Sequence, residues 1–118
     1  MQQQDLKNRL KQFAIRTMKL ANALPRQNRG YLIGDQLFRS GTSSAANYRA
    51  ACRARSNHEF ISKLCIVEEE LDECMFWMEV IFESGLIKKE LIMPLYNESN
   101  ELISIIISTK KSLKAKKS

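Results

Sequence analysis

The chain has 118 residues, 44% of them hydrophobic and 27% charged, with a formal net charge of +6. That length makes one domain, able to bury a core without disulfide or metal staples, and the hydrophobic fraction excludes a disordered chain. Four Gly and two Pro exclude collagen-like and low-complexity classes and argue against a many-turned β-sandwich.

The first predicted element is an amphipathic helix. Leu6, Leu10, Phe13, Thr17, Leu20 and Leu24 are spaced by alternating steps of 4 and 3, with Lys7, Arg9, Lys11, Arg16 and Lys19 off the stripe. Pro25 ends it, and residues 25–30 read as a loop. A second helix is expected over about residues 29–55. Its middle, from Arg39 to Asn47, is poor in large apolar residues, and Ser/Thr clusters also mark loops. Gly34, Gly41 and Ala45 are small residues at helical spacing, where a neighbouring helix can approach closely, because glycine inside a helix costs up to about 1 kcal/mol and implies a packing reason.

Ser56-Asn57-His58-Glu59 reads as a capping box, in which Ser56 accepts from the Glu59 amide and the Glu59 carboxylate reaches back to the Ser56 amide. It starts a third helix and places His58 in the exposed first turn. Phe60, Leu64, Val67, Leu71, Cys74, Met78 and Ile81 form an a/d seam. Phe76, Trp77, Val80 and Phe82 give the second half of this helix another apolar face, and two such faces imply two contacts. Gly85 is a helix-stopping glycine. The fourth helix is expected over about residues 90–112, with Pro94 in its first turn. Ile92, Leu95, Ser99, Leu102, Ile106 and Thr109 form its stripe, widened by Leu91, Ile103, Ile105 and Ile107. Short links between long helices favour an all-α, antiparallel, up-down-up-down four-helix bundle at residues 1–109, followed by a basic C-terminal tail at 110–118.

Charge is arranged in blocks. Residues 1–58 hold eleven Lys/Arg and two acids, a net +9; residues 59–109 net −8; residues 110–118 net +5. Opposed blocks favour antiparallel packing of the halves or charge-matched contact between subunits, and a basic block can meet nucleic acid. Three cysteines, an odd number without a CxxC, argue for reduced thiols and against a zinc or redox motif. His58 is the lone histidine, so neither a di-iron bundle nor a catalytic triad is indicated, and the glycine spacing fits no phosphate-binding loop. No cofactor and no metal is expected. No apolar run approaches the roughly 18–20 residues of a membrane span, and the first residues lack the apolar stretch of a signal peptide, so a cytoplasmic location and no membrane partner are expected.

A hairpin of helices two and three places Ser40 opposite Leu71 and Ser44 opposite Val67. The expected outcome is a buried polar layer of Arg39, Ser40, Ser43, Ser44, Asn47, Glu70 and Glu73, with Glu70 or Glu73 held by Arg39 and serine hydroxyls, specifying register more than stability. Two close carboxylates acting as acid and base is the alternative, without a nucleophile to accompany them.

The combination Arg39-Ser40, Ser43-Ser44, Asn47-Tyr48-Arg49-Ala50-Ala51, Arg53-Ala54, Ser56, Glu59-Phe60, Lys63-Leu64, Ile66, Glu70, Glu73 and Phe76-Trp77-Met78 resembles the bacterial four-helix-bundle protein family, also called the rRNA intervening-sequence protein family. Ala50, Leu71 and Cys74 depart from its usual residues. The resemblance implies an antiparallel four-helix bundle assembled as a ring-like homopentamer, and kinship with the accessory protein of diversity-generating retroelements, which binds nucleic acid and a reverse transcriptase.

Two functional readings follow. One is a non-enzymatic homo-oligomer that binds nucleic acid, RNA or DNA and in the first instance RNA, through Lys7, Lys11, Arg16, Lys19, Arg49, Arg53, Arg55, Lys110, Lys111 and Lys114, with Phe76, Trp77, Val80, Ile103 and Ile107 between subunits. Contacts of this kind go mostly to phosphate, since no basic stretch is interleaved with aromatics. The terminal lysines have a second explanation, compensation of a helix dipole. The other reading is a protein–protein assembly adaptor whose partner is an acidic protein. An enzyme lacks any visible constellation.

Overall fold

The computed structural model describes residues 2–116. Helix α1 spans Gln3–Ala23, α2 Gly30–Ala51, α3 Asn57–Glu83 and α4 Lys89–Lys116, with a single 3-10 turn at Gln27–Arg29. The helices lie antiparallel in chain order, α1 against α2, α2 against α3 and α3 against α4, in a rod with extents 51 × 20 × 20 Å. The result is the all-α, up-down-up-down bundle that the four stripes require.

The stripes supply the core. Leu6, Leu10 and Phe13 from α1, Leu37 and Tyr48 from α2, Leu64, Val67, Leu71, Cys74, Met78 and Ile81 from α3, and Ile92, Leu95, Leu102 and Ile106 from α4 are all buried. Burial pushes the Cys74 thiol up to about 12, and it donates to Ser40 Oγ at 3.3 Å.

The middle of α2 is helical, not a loop. Its hydroxyls find acceptors one turn back on their own helix: Ser40 at Gln36 O, Thr42 at Phe38 O and Ser44 at Gly41 O. Small residues let α1 lie close. A Cβ on Gly34 would stand 3.1 Å from Ala21 O, and one on Gly41 would overlap Thr17 Oγ1 and lie 2.8 Å from Thr17 Cβ.

Four local expectations are corrected. Helix α2 stops at Ala51 rather than near Arg55. Ser56 Oγ does accept from the Glu59 amide at 3.1 Å, but the Glu59 carboxylate takes the Arg55 amide, at 3.2 Å, one residue before the expected one. Pro94 lies beyond the first turn of α4, which already begins at Lys89, so the Glu90 carbonyl lacks its usual donor four residues on. At its other end α4 runs through to Lys116, so lysines 110, 111, 114 and 116 are helical; Lys117 lies outside the described residues. Extension past Ser112 follows from the Lys110–Glu68 ion pair at 2.6 Å and from Leu113, which packs on the core.

The seam between α1 and α4 is the open one. These helices touch far less than the other neighbours do, and a groove of about 640 Å³ runs between them, lined among others by Leu6, Tyr48, Phe60, Ile105 and Leu113. Arg9 bridges the seam. Its Nε and Nη2 donate to the two carboxylate oxygens of Glu98 at 2.7 and 2.8 Å, and Nη2 also lies 2.9 Å from Glu101.

Candidate nucleic-acid interface

The cations expected to meet a partner fall into two groups. Lys7 and Lys11 project from the first half of α1 at i, i+4, and antiparallel packing sets them beside Arg49 in the last turn of α2 and Arg53 just past its end. These four line a groove of about 410 Å³ with Gln4, Asn8, Ala45 and Ala46. A second groove, of about 440 Å³, shares Ala46, Arg49 and Arg53 and continues across Arg55, Glu59 and Lys63. Five expected residues thus lie along one continuous surface with Lys63, which sequence reasoning left out. Lys63 sits at i+4 from Glu59 in the first turns of α3, on the same side as Arg55; the signal for it was its spacing from the capping box.

Among the described residues, no carboxylate forms an ion pair with Lys7, Lys11, Arg49, Arg53, Arg55 or Lys63. The alanines on α2 form a low floor between the cations, so a backbone phosphate can approach without meeting a large side chain.

The remaining candidates lie elsewhere. Arg16 and Lys19 flank a separate apolar groove with Leu20, Leu91, Pro94 and Leu95. Lys111 and Lys114 are exposed on the last turns of α4. Lys110 points the other way: its side chain is 16% exposed and pairs with Glu68, with Cys65 Sγ at 3.6 Å. The Glu68 hydrogen bond raises its pKa. Its charge serves the α3–α4 contact.

The expected polar layer divides in two. Arg39 pairs with both Glu70 and Glu73, and Glu73 also accepts from Trp77 Nε1 at 3.2 Å. The Arg39 hydrogen bond holds the Glu73 carboxyl below its usual range. This cluster is at the surface, since the Arg39 side chain is 50% exposed. The buried polar groups are Thr17, Ser40, Ser44 and Ser99. Among the described residues no serine hydroxyl bonds a glutamate; Ser40 accepts from Cys74, and Asn47 donates to Ser43 O and Oγ on its own helix. The hydroxyls bond locally because a helix carbonyl one turn back is always within reach of Ser and Thr. Ser99 is the exception, crossing from α4 to Leu71 O at 3.0 Å.

Of the apolar residues expected between subunits, Phe76 is 54% exposed, stacked edge-on against Trp77 at 5.0 Å. Trp77, Val80 and Ile107 are half-buried, and Ile103 is half-buried against the core. Phe38 on α2 and Ile66 on α3 are also exposed. Among the described residues, no group of three His, Cys, Asp or Glu side chains is placed to hold a metal ion, and no helix is long and apolar enough to cross a membrane.

With this bundle and its Arg39–Glu70–Glu73 cluster in view, comparison with known proteins is direct. The model of the 23S rRNA-intervening sequence protein family matches residues 2–108, and the chain belongs to that family. A solved structure of a protein with unknown function from the S23 ribosomal protein family of Bacteroides thetaiotaomicron is similar, with 33% sequence identity and a TM-score of 0.84 over 90% of this chain and 98% of that one. Among curated proteins no significant match is found.

Proposed function

We propose that the protein is a non-enzymatic, self-associating helical bundle that binds RNA through the surface carrying Lys7, Lys11, Arg49, Arg53, Arg55 and Lys63. The observation that supports this reading is the continuity of that groove. Six cations, four from three helices and two from the α2–α3 link, line it, and Glu59 is the one acid in its lining. Phosphate contacts of this kind neutralise backbone charge without reading sequence. Self-association repeats the groove, so individually weak contacts add by avidity. The exposed Phe38, Ile66 and Phe76 supply apolar surface for the contact between copies, and the pentamer that the family resemblance implies is the assembly proposed.

Retention of labelled RNA at two salt concentrations tests the reading. Affinity falls steeply between about 50 and 200 mM salt if several phosphates are engaged. Replacing Lys11 or Arg49 by alanine weakens binding to all sequences alike and lowers the logarithmic salt slope by about 1 each. Absence of retention at the lower salt removes the RNA reading and leaves the adaptor for an acidic protein.

A further inference from the structure

The turn between α1 and α2 holds a guanidinium against an aromatic ring in the open. Pro25 closes α1, and Asn28 and Arg29 follow with φ of 53° and 62°. Two successive left-handed residues reverse the chain in very few steps, and Gly30 then packs so closely on Pro25 that a Cβ there would overlap its carbonyl oxygen. The turn is therefore held in one shape. Its product is the placement of Arg26 Cζ 5.2 Å from the centroid of the Tyr31 ring. Tyr31 is 42% exposed and outside the core, and Arg26 and Arg29 are exposed as well. Residues 24–34 contain no acid.

Packing does not account for this arrangement. An exposed cation–π pair adds little to stability, and Tyr31 keeps much of its ring in water. A planar ring and a planar guanidinium, fixed at the surface with a second exposed arginine two residues before the tyrosine, match the surfaces on which unpaired bases stack. Bases in a duplex are stacked on one another and cannot use them.

We infer that the Arg26–Tyr31 pair is a stacking site for an unpaired nucleobase, with Arg29 placed for the adjoining phosphate, so that the RNA taken by this protein is single-stranded or looped. The inference rests on the RNA reading above and specifies its ligand. Tyr31 and Arg49 are 18 residues apart on one helix, about 27 Å at 1.5 Å per residue. The stacking site and the cationic groove are thus separate contacts at opposite ends of α2.

The test compares an unstructured RNA oligonucleotide with a duplex RNA of equal length, using wild type, Tyr31→Phe and Tyr31→Ala. Tyr31→Ala weakens single-strand binding about tenfold, the loss expected for one stacked base, without changing the salt slope. Tyr31→Phe, which keeps the ring, stays close to wild type. Duplex binding is weaker in the wild type and indifferent to Tyr31. An unchanged single-strand affinity in Tyr31→Ala, or an equal loss on duplex, overturns the stacking site while leaving the cationic groove standing. Failure of the wild type to bind either RNA removes both.

Discussion

At Gly41 a single hydrogen decides how closely two helices lie. The glycine sits mid-helix, where it costs up to about 1 kcal/mol relative to alanine, yet a Cβ there would overlap Thr17 Oγ1 and press on Thr17 Cβ. Those atoms are not the far end of a flexible side chain, so α1 must move outward to make room. Gly41→Ala therefore gains propensity and loses more through overpacking, a net cost of about 1–3 kcal/mol. Thermal unfolding followed by circular dichroism checks it, and a raised melting temperature would show that the seam relaxes freely. Gly41 and its spacing from Gly34 were legible in the sequence. Its partner Thr17 was legible only as a polar member of an apolar stripe; in the fold it is fully buried and donates to Ala14 O at 2.7 Å.

Between elements, the two charge clusters play different parts. Arg39 with Glu70 and Glu73 sits at the surface of the α2–α3 contact and adds little. Arg9 with Glu98 is more enclosed and crosses the seam that packing leaves open. The Arg9 hydrogen bond holds the Glu98 carboxyl below its ordinary range. A carboxyl whose folded pKa is depressed contributes stability that is fully present above its unfolded value, about 4.3, and loses it as pH falls through the lower folded value. Glu98→Gln should therefore melt below wild type at pH 7, and the two should converge as pH falls below about 4. A gap that persists undiminished in acid would assign the loss to packing instead of charge. Stripe periodicity told where each helix lay, but not that Arg9, off the stripe and drawn from a basic face, would be taken by α4.

For the whole molecule, the modest net charge conceals a division of labour. Part of the N-terminal positive charge is used internally, by Arg9 and Arg39, and Lys110 is used by Glu68. The unpaired remainder divides between the two ends of the α1–α2 pair, Lys7, Lys11, Arg49, Arg53 and Arg55 lining the groove at one end and Arg16, Lys19, Arg26 and Arg29 lying towards the other, and the apolar excess of α3 emerges at Phe76. Phe76→Glu puts a charge on that exposed ring position without touching the core. If this surface joins copies of the chain, light scattering will give a smaller particle with the melting profile of a folded bundle. An unchanged particle mass would move the contact elsewhere.

The helices, their stripes, the capping serine and the glycine stop were determined by the sequence alone, because each is a short-range property: a periodicity of 3.6, a hydroxyl three residues from an amide, a left-handed residue at Gly85 with φ of 80°. The family was legible for a related reason, since its polar residues stand at fixed offsets along two consecutive helices. Tertiary structure alone decided which charges are consumed and which stay free. Lys110 and Lys111 are neighbours in sequence, yet one meets Glu68 and the other water. Arg26 and Tyr31 are five residues apart and meet only because Asn28 and Arg29 turn left-handed. Ion pairing and stacking depend on the rotation of each helix about its axis and on its distance from the next, and those are fixed by the packing of the whole core.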